Sequence, residues 1–490
     1  MKGIRNIAKN TLIVYVARGF DILSSVIIIA ILTRYLGIKL YGQYAVVMAT
    51  VFTVTAFANM GMPKILIREL SQDKRKAGDF LGASLIFSII MFAAVILIST
   101  VVVFTLRLEI ILAFALGVAI VAEMVRIFSS SFIFLFVAFE KMGYDVLVTV
   151  SCRLVFFALI FVVVTLQLNY IYIFSSMILS NSIGFFLALK ICAKKFNIKP
   201  KFGKWKGNLK YLSMEILPVG VSFIILQLLQ YVDIFILKIL KGFEEVALFQ
   251  APYMMILKLQ FLPRILVIAL APLLARLAVA DTSYSKLNYI YSMILKYLAA
   301  VSFPLTLLLI FFSGRIVPII FGDTFLGSVV PFKILICALP IIFMDLFSDA
   351  VLVTIGRQRL PLVSAGVALI INFILDIILI NKYSYIGASI ASLTSLYVMF
   401  GLNFYFVSRS IKNISLSMFV VILALSGFMM GVVLLGPSTY NTISIIGFII
   451  IYVAMLLISG MFSRKEFSRI NNLINYAGEV SARSEGKSSI

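Results

Sequence analysis

The 490-residue sequence contains no histidine, one tryptophan and three cysteines, and only 13% of its residues are charged. Without histidine no side chain has an unperturbed pKa near neutrality, so any proton or ion traffic has to run through carboxylates. Cys152, Cys192 and Cys337 lie far apart in or at the ends of apolar segments, where neither a metal spacing nor a disulfide framework is legible. Acidic residues are scarce, 20 against 42 lysines and arginines, for a net charge of +22. Such a balance is the usual footprint of phosphate-backbone binding. Here the basic residues are scattered through short loops and form no basic domain, which excludes nucleic acid as a partner. Long polar loops are lacking too, and the lysine-rich ones present hold no paired carboxylates. A catalytic acid–base domain outside the membrane therefore has nowhere to sit, and the chain reads as a non-enzyme.

What is abundant is apolar surface. Hydrophobic residues make up 62% of the chain and mean hydropathy is +1.13, against roughly 45–50% apolar residues in an average soluble chain. Stretches such as 80–106 and 442–462 carry no Asp, Glu, Lys or Arg over the length an α-helix needs to cross hydrocarbon. Apolar runs punctuated by charge predict fourteen spans, beginning near residues 11, 40, 80, 110, 145, 170, 213, 246, 287, 329, 360, 384, 414 and 441. The fold class is thus all-α and polytopic. Residues 1–10 show no cleavage pattern before the first apolar run, so that span is expected to be retained.

Threading the spans back and forth segregates the cations. One side collects Lys64, Arg68 and Lys74–Lys76, every lysine from Lys190 to Lys210, and Arg464, Lys465 and Arg469; the other holds Arg34, Arg107, Arg315 and a few more. The ratio is about four to one, which places both termini in the cytoplasm and the chain in the cell membrane as a multi-pass protein. Gly143, Leu147, Val150 and Ser151 also align with Gly356, Leu360, Val363 and Ser364 at one constant offset, the mark of two parallel halves. The expected layout is a lobe of six helices over 1–205, a second over 206–410, two further helices over 411–463 and a cytoplasmic tail over 464–490. Trp205 and its neighbouring lysines read as an interfacial linker between the lobes. In the tail, Phe467, Ile470, Leu473 and Ile474 share one helical face, as in a helix lying on the membrane surface.

An ionisable residue at mid-membrane costs roughly 2.5–3.5 kcal/mol on insertion scales, so each needs a partner, a wet cavity or a function. Arg18 and Asp21 lie three apart, as do Glu123 and Arg126, which allows pairing on one helix face. At about 1.5 Å per residue, Arg18, Arg153 and Lys296 lie roughly 10–14 Å from the cytoplasmic ends of their spans, and Arg126 and Arg264 about 16–18 Å. Together with Lys258 these cations suit an anionic headgroup drawn into a cytoplasm-facing cavity, because guanidinium binds phosphate oxygens in pairs. Snorkelling toward the near headgroups is the competing reading. Asp233 and Asp376 lie instead near the outer ends of their spans. Asn372 is one turn from Asp376, and Thr394 reaches a similar level. Four oxygen donors at one depth suit a hard cation such as sodium, or equally a buried polar network between helices. Pro252, Pro263 and Pro272 predict kinks in the eighth span.

The run Leu32-Thr33-Arg34-Tyr35-Leu36-Gly37, then Tyr41-Gly42-Gln43-Tyr44, Gly61 and Arg68-Glu69, resembles the N-terminal signature of polysaccharide-repeat flippases. Phe321-Gly322-Asp323, Ile355-Gly356-Arg357-Gln358 and Ile386-Gly387-Ala388-Ser389 follow in matching order. That family belongs to the multidrug/oligosaccharidyl-lipid/polysaccharide exporter superfamily, and the resemblance runs from about residue 1 to 410. It implies two six-helix lobes around a central cavity plus two C-terminal helices, working by alternating access as a monomer. It also implies a polyprenyl-phosphate or -pyrophosphate oligosaccharide as substrate, with membrane lipids holding its tail. The substrate-binding set is then Arg18, Asp21, Arg126, Arg153, Lys258 and Arg264. Related lipid II flippases are similar in using helix-seven, helix-eleven and helix-twelve oxygens for sodium, which assigns Asp233, Asn372, Asp376 and Thr394 to a coupling-ion site; no resident cofactor is implied. Two other readings stand beside it: a multidrug exporter of the same superfamily, and a membrane glycosyltransferase or polymerase.

Overall fold

The computed structural model describes residues 2–203, 205–280 and 284–411. The helices expected over 411–463 and the tail expected over 464–490 lie, but for Ile411, outside the described residues. The described chain is helical throughout and divides into two compact units, Met1–Gln250 and Ala251–Ile490.

The first unit is built on α1 (Lys2–Asn59), α2 (Met62–Gln72), α3 (Ala77–Thr105), α4 (Ile110–Ala138), α5 (Met142–Thr165), α6 (Ile171–Lys195) and α7 (Trp205–Leu240). At 58 residues α1 is far longer than one crossing requires. It is two helices joined at Gly37, whose φ of 65° and ψ of −176° end the hydrogen-bond ladder in a conformation glycine adopts without steric cost. Five residues on, Gly42 brings the helix against the backbone carbonyl of Phe243, where any Cβ would collide. α1 packs on α3, α4, α5 and α7, and α6 packs on α4 and α5.

α2 is an element that hydropathy alone reads as loop. Its Ile65, Leu66 and Leu70 are buried with Phe80, Phe136, Leu212 and Ile216, while Arg68, Ser71 and Gln72 face outward, the one-sided stripe of an amphipathic helix. α7 starts at Trp205 rather than near 213, and only its Gly220–Leu240 portion is apolar enough to span. The segment between α6 and α7 is pinned to α3, where Lys201 N–H donates to the Gly78 carbonyl at 2.8 Å.

The second unit contains most of α8 (Phe243–Leu259, from Ala251), α9 (Phe261–Ala280), α10 (Ser285–Phe321), α11 (Val329–Ile336), α12 (Leu339–Thr354) and α13 (Arg359–Ser410). α12 packs on α9, α10 and α13. Of the kinks expected in the eighth span, one corresponds to a helix break at Gln260, between α8 and α9 and just before Pro263, whose missing N–H interrupts the ladder, while Pro252 lies inside α8 without a break. α13, like α1, is two helices, joined at Ser384.

Among the described residues nine helices are long and apolar enough to cross a membrane, or ten when the pair Asp323–Ile336 and Leu339–Thr354, bent by 43°, counts as one span. Their outward faces carry large apolar side chains, such as Phe104 at 78% and Ile110 at 86% exposure. No water-facing monomer presents apolar area on that scale, and the chain is a multi-pass membrane protein.

Candidate functional site

Two ion pairs of the first unit lie on α1, α4 and α5, helices that pack on one another. Asp21 of α1 accepts a hydrogen bond from Arg153 Nε of α5, an ion pair between helices rather than along one. The sequence paired Asp21 with Arg18, whose side chain is outside the described set; proximity in the fold, not spacing, supplies Arg153. Within α1, the Ser24 and Ser25 hydroxyls both donate to the Asp21 main-chain carbonyl, at 2.9 and 2.7 Å. On α4, Arg126 donates through Nε to Glu123 Oε2 at 2.8 Å and through Nη2 to Oε1, a two-pronged pair. The two side chains differ in access: Glu123 is 2% exposed and Arg126 49%. The carboxylate lies behind the guanidinium, which reaches outward.

Tyrosines surround these pairs. Tyr44 lies within electrostatic reach of Arg153, and Tyr231 of α7 within reach of Glu123 and Tyr44. Tyr44 stacks on Phe174 at 5.6 Å and Tyr231 on Phe52 at 5.9 Å. The Asn181 amide of α6 donates to the Ala122 carbonyl at 2.8 Å, fixing α4 beside Glu123. Asp233, on the same helix as Tyr231, is fully buried.

Lys258 and Arg264 belong to the second unit. Lys258 is partly buried; Arg264 is exposed, and its Nη2 donates to Gln260 at 3.2 Å. Asn372 and Asp376 sit one turn apart on α13 and are both fully buried. As neighbouring oxygen donors shielded from lipid they fit a hard cation. Thr394 is exposed, and its hydroxyl donates to its own helix at Ile390, 2.8 Å away. Among the described residues no group of three or more His, Cys, Asp or Glu side chains converges.

The second unit also holds a network that sequence reading passed over. Asn403 of α13 donates to buried Asp345 of α12 at 2.8 Å, and Tyr291 of α10 shares a 2.8 Å hydrogen bond with Ser348. Tyr291 stacks on Phe347 at 5.9 Å. Asp345 and Asp349, one turn apart in an apolar run, were the available signal.

Outside the spans, Arg68 of α2 bridges two carboxylates, Glu69 at 2.8 Å and Glu215 of α7 at 2.7 Å. Those hydrogen bonds, Glu215's first, raise the arginine's pKa further. The Tyr211 hydroxyl donates to Glu69 at 3.0 Å, which raises the phenol's pKa as well. The Arg68-Glu69 dipeptide of the signature therefore ties α2 to α7.

The family pattern described as polysaccharide biosynthesis protein matches residues 7–278, more than half of the chain. This chain belongs to that family. The matched span contains Asp21, Glu123, Arg126, Arg153 and Asp233. No curated relative matches in sequence. Among solved structures, this family member is similar to a lipid II flippase, MurJ, in an inward closed conformation (TM-score 0.70, 16% identity, covering 94% of this chain and 100% of that one). It is similar to an inward-facing multidrug resistance MATE transporter (0.62, 14%, 84% and 99%). A transporter of the same superfamily from Pyrococcus furiosus, described as having a binding pocket of reverse polarity, is a further match (0.59, 16%, 84% and 99%). At these identities the likeness establishes the fold, which is that of polytopic flippases and exporters.

Proposed function

We propose that this protein is a flippase that carries a polyprenyl-phosphate- or pyrophosphate-linked oligosaccharide from the cytoplasmic to the outer leaflet by alternating access, acting as a transporter and not as an enzyme. The observation that carries the reading is Arg126: a guanidinium at membrane depth, anchored by a buried carboxylate and half exposed on its other side. A fork of this kind binds phosphate oxygens in pairs. Arg153, held by Asp21, is a second guanidinium of the same unit, and Arg18, Lys258 and Arg264 are the remaining candidates for the headgroup. The family's description and the fold shared with a lipid II flippase support a lipid-linked sugar as the cargo.

Breaks at Gly37 and Ser384 turn α1 and α13 into two crossings each, and together with the pair expected over 411–463 this leads to fourteen spans with both termini cytoplasmic in the cell membrane. In this reading residues 1–205 and 206–410 are the two lobes, the tail over 464–490 lies at the cytoplasmic surface, and the working unit is a monomer. Sodium is the proposed coupling ion, with buried Asn372 and Asp376 as its first ligands and Asp233 and Thr394 as further candidates; it would supply charge balance for the anionic cargo.

Arg126→Ala should abolish export of the lipid-linked sugar, measured as flipping of a fluorescent polyprenyl-pyrophosphate sugar in liposomes, with protein levels unchanged. Normal flipping in that variant would overturn the headgroup assignment. A sodium gradient without effect on rate would make Asn372 and Asp376 structural. A multidrug exporter is the second reading, favoured by the fold shared with a multidrug resistance transporter. It predicts altered drug susceptibility on deletion, with lipid-linked sugar flipping unchanged.

A further inference from the structure

Glu123 is a buried carboxylate without an assigned role. Its two oxygens take the Nε and Nη2 edge of Arg126, and it is 2% exposed where the arginine is 49%. A guanidinium has five N–H donors in a rigid fork. With one edge facing Glu123, the Nη1 donors and the second Nη2 donor are left for a ligand arriving from the accessible side. Such a ligand would meet a cation already half neutralised from behind.

Building on the flippase reading above, we infer that Glu123 is a positioning residue for release: it holds the Arg126 fork and limits how tightly that fork grips an anionic headgroup. A carrier with alternating access has to let go on one face of what it bound on the other. A lone arginine in a low-dielectric interior would hold a phosphate dianion strongly, because Coulomb attraction there is several times its value in water. The carboxylate behind it repels the same phosphate and reclaims the guanidinium when the headgroup leaves. Tyr231 of α7 and Tyr44 of α1, the tyrosines within reach of these charges, bear no charge at neutral pH, and Arg153 of α5 is matched by Asp21. The balance at Arg126 therefore rests on Glu123. A purely structural ion pair would behave in the opposite way, since breaking it would loosen α4 and weaken binding.

The test uses the full-length protein in nanodiscs and liposomes, with undecaprenyl pyrophosphate as the binding probe and a fluorescent polyprenyl pyrophosphate as the flipping probe. Glu123→Gln keeps the shape and a hydrogen-bond acceptor while removing the charge. It should bind on the order of tenfold tighter and flip on the order of tenfold more slowly, the size expected for one screened charge a few ångströms from the phosphate. Glu123→Asp, which keeps the charge, should bind and flip close to the parent protein. The inference is overturned by Glu123→Gln binding equally or more weakly with an unchanged Tm, or, should that variant unfold, by Glu123→Asp binding tighter than the parent. Arg126→Ala separates the two claims. Loss of binding there, with Glu123→Gln neutral, leaves the flippase reading standing and this inference fallen. Binding unchanged by Arg126→Ala removes the headgroup assignment to Arg126 and this inference with it. Inorganic pyrophosphate competing as well as the prenyl form would assign the grip to free phosphate and remove the flippase reading.

Discussion

A single added methyl group is decisive at Gly42, which the signature Tyr41-Gly42-Gln43-Tyr44 places on the second half of α1. The Phe243 carbonyl sits where a Cβ would go, and a backbone carbonyl cannot swing aside as a flexible side chain can. Gly42→Ala should destabilise the protein by about 1–3 kcal/mol, the usual cost of overpacking, seen as a lower Tm in detergent; an unchanged Tm would mean that α8 is free to shift. Charge obeys the same local logic. Asp21 takes Arg153 from another helix while Glu123 takes Arg126 from its own. Periodicity made only the second pair legible, because a three-residue spacing reports neighbours along a helix and is silent about neighbours across a bundle. The Asp345–Asn403 bond, between residues 58 apart in sequence, was invisible for that reason.

At the scale of elements, the apolar spans and where they begin were legible, and several of their C-terminal ends were not. α3, α4 and α5 close without glycine, through Arg107, Glu140 and Gln167 at φ of 48°, 59° and 50°. In each case the following N–H reaches back to a carbonyl five residues earlier, as Lys141 does to Phe136 at 2.8 Å, the pattern of a Schellman turn. Glycine is the residue that marks such ends in sequence, and its absence hid them. Because Glu140 is exposed and left-handed, Glu140→Gly should stabilise the protein by about 0.5–1 kcal/mol, read as a small rise in Tm. A fall would show that the Glu140 side chain makes a contact worth more than the strain. α2 escaped hydropathy because it lies outside the spans and buries one face only. The Arg68 bridge that ties it to α7 is exposed, and pairs of that kind contribute about 0–1 kcal/mol, so α2 is held mainly by Leu66, Leu70 and their apolar neighbours.

For the whole molecule the prediction concerns sidedness. Cysteines introduced singly at Arg75 and Arg107 lie at opposite ends of α3, and in intact cells a membrane-impermeant maleimide should label the Arg107→Cys variant and spare the Arg75→Cys variant; the reverse pattern would invert the topology. The native cysteines interfere little, since Cys192 and Cys337 are buried and Cys152 is partly so. By itself the sequence determined that this chain lives in a bilayer as many helices, because hydrocarbon thickness acts on residues one stretch at a time. Tertiary structure alone decided that Asp21 takes Arg153 and that Asp345 and Asn403 meet. Those outcomes depend on which helices touch, and contact between segments far apart in the chain leaves no local trace in composition or spacing.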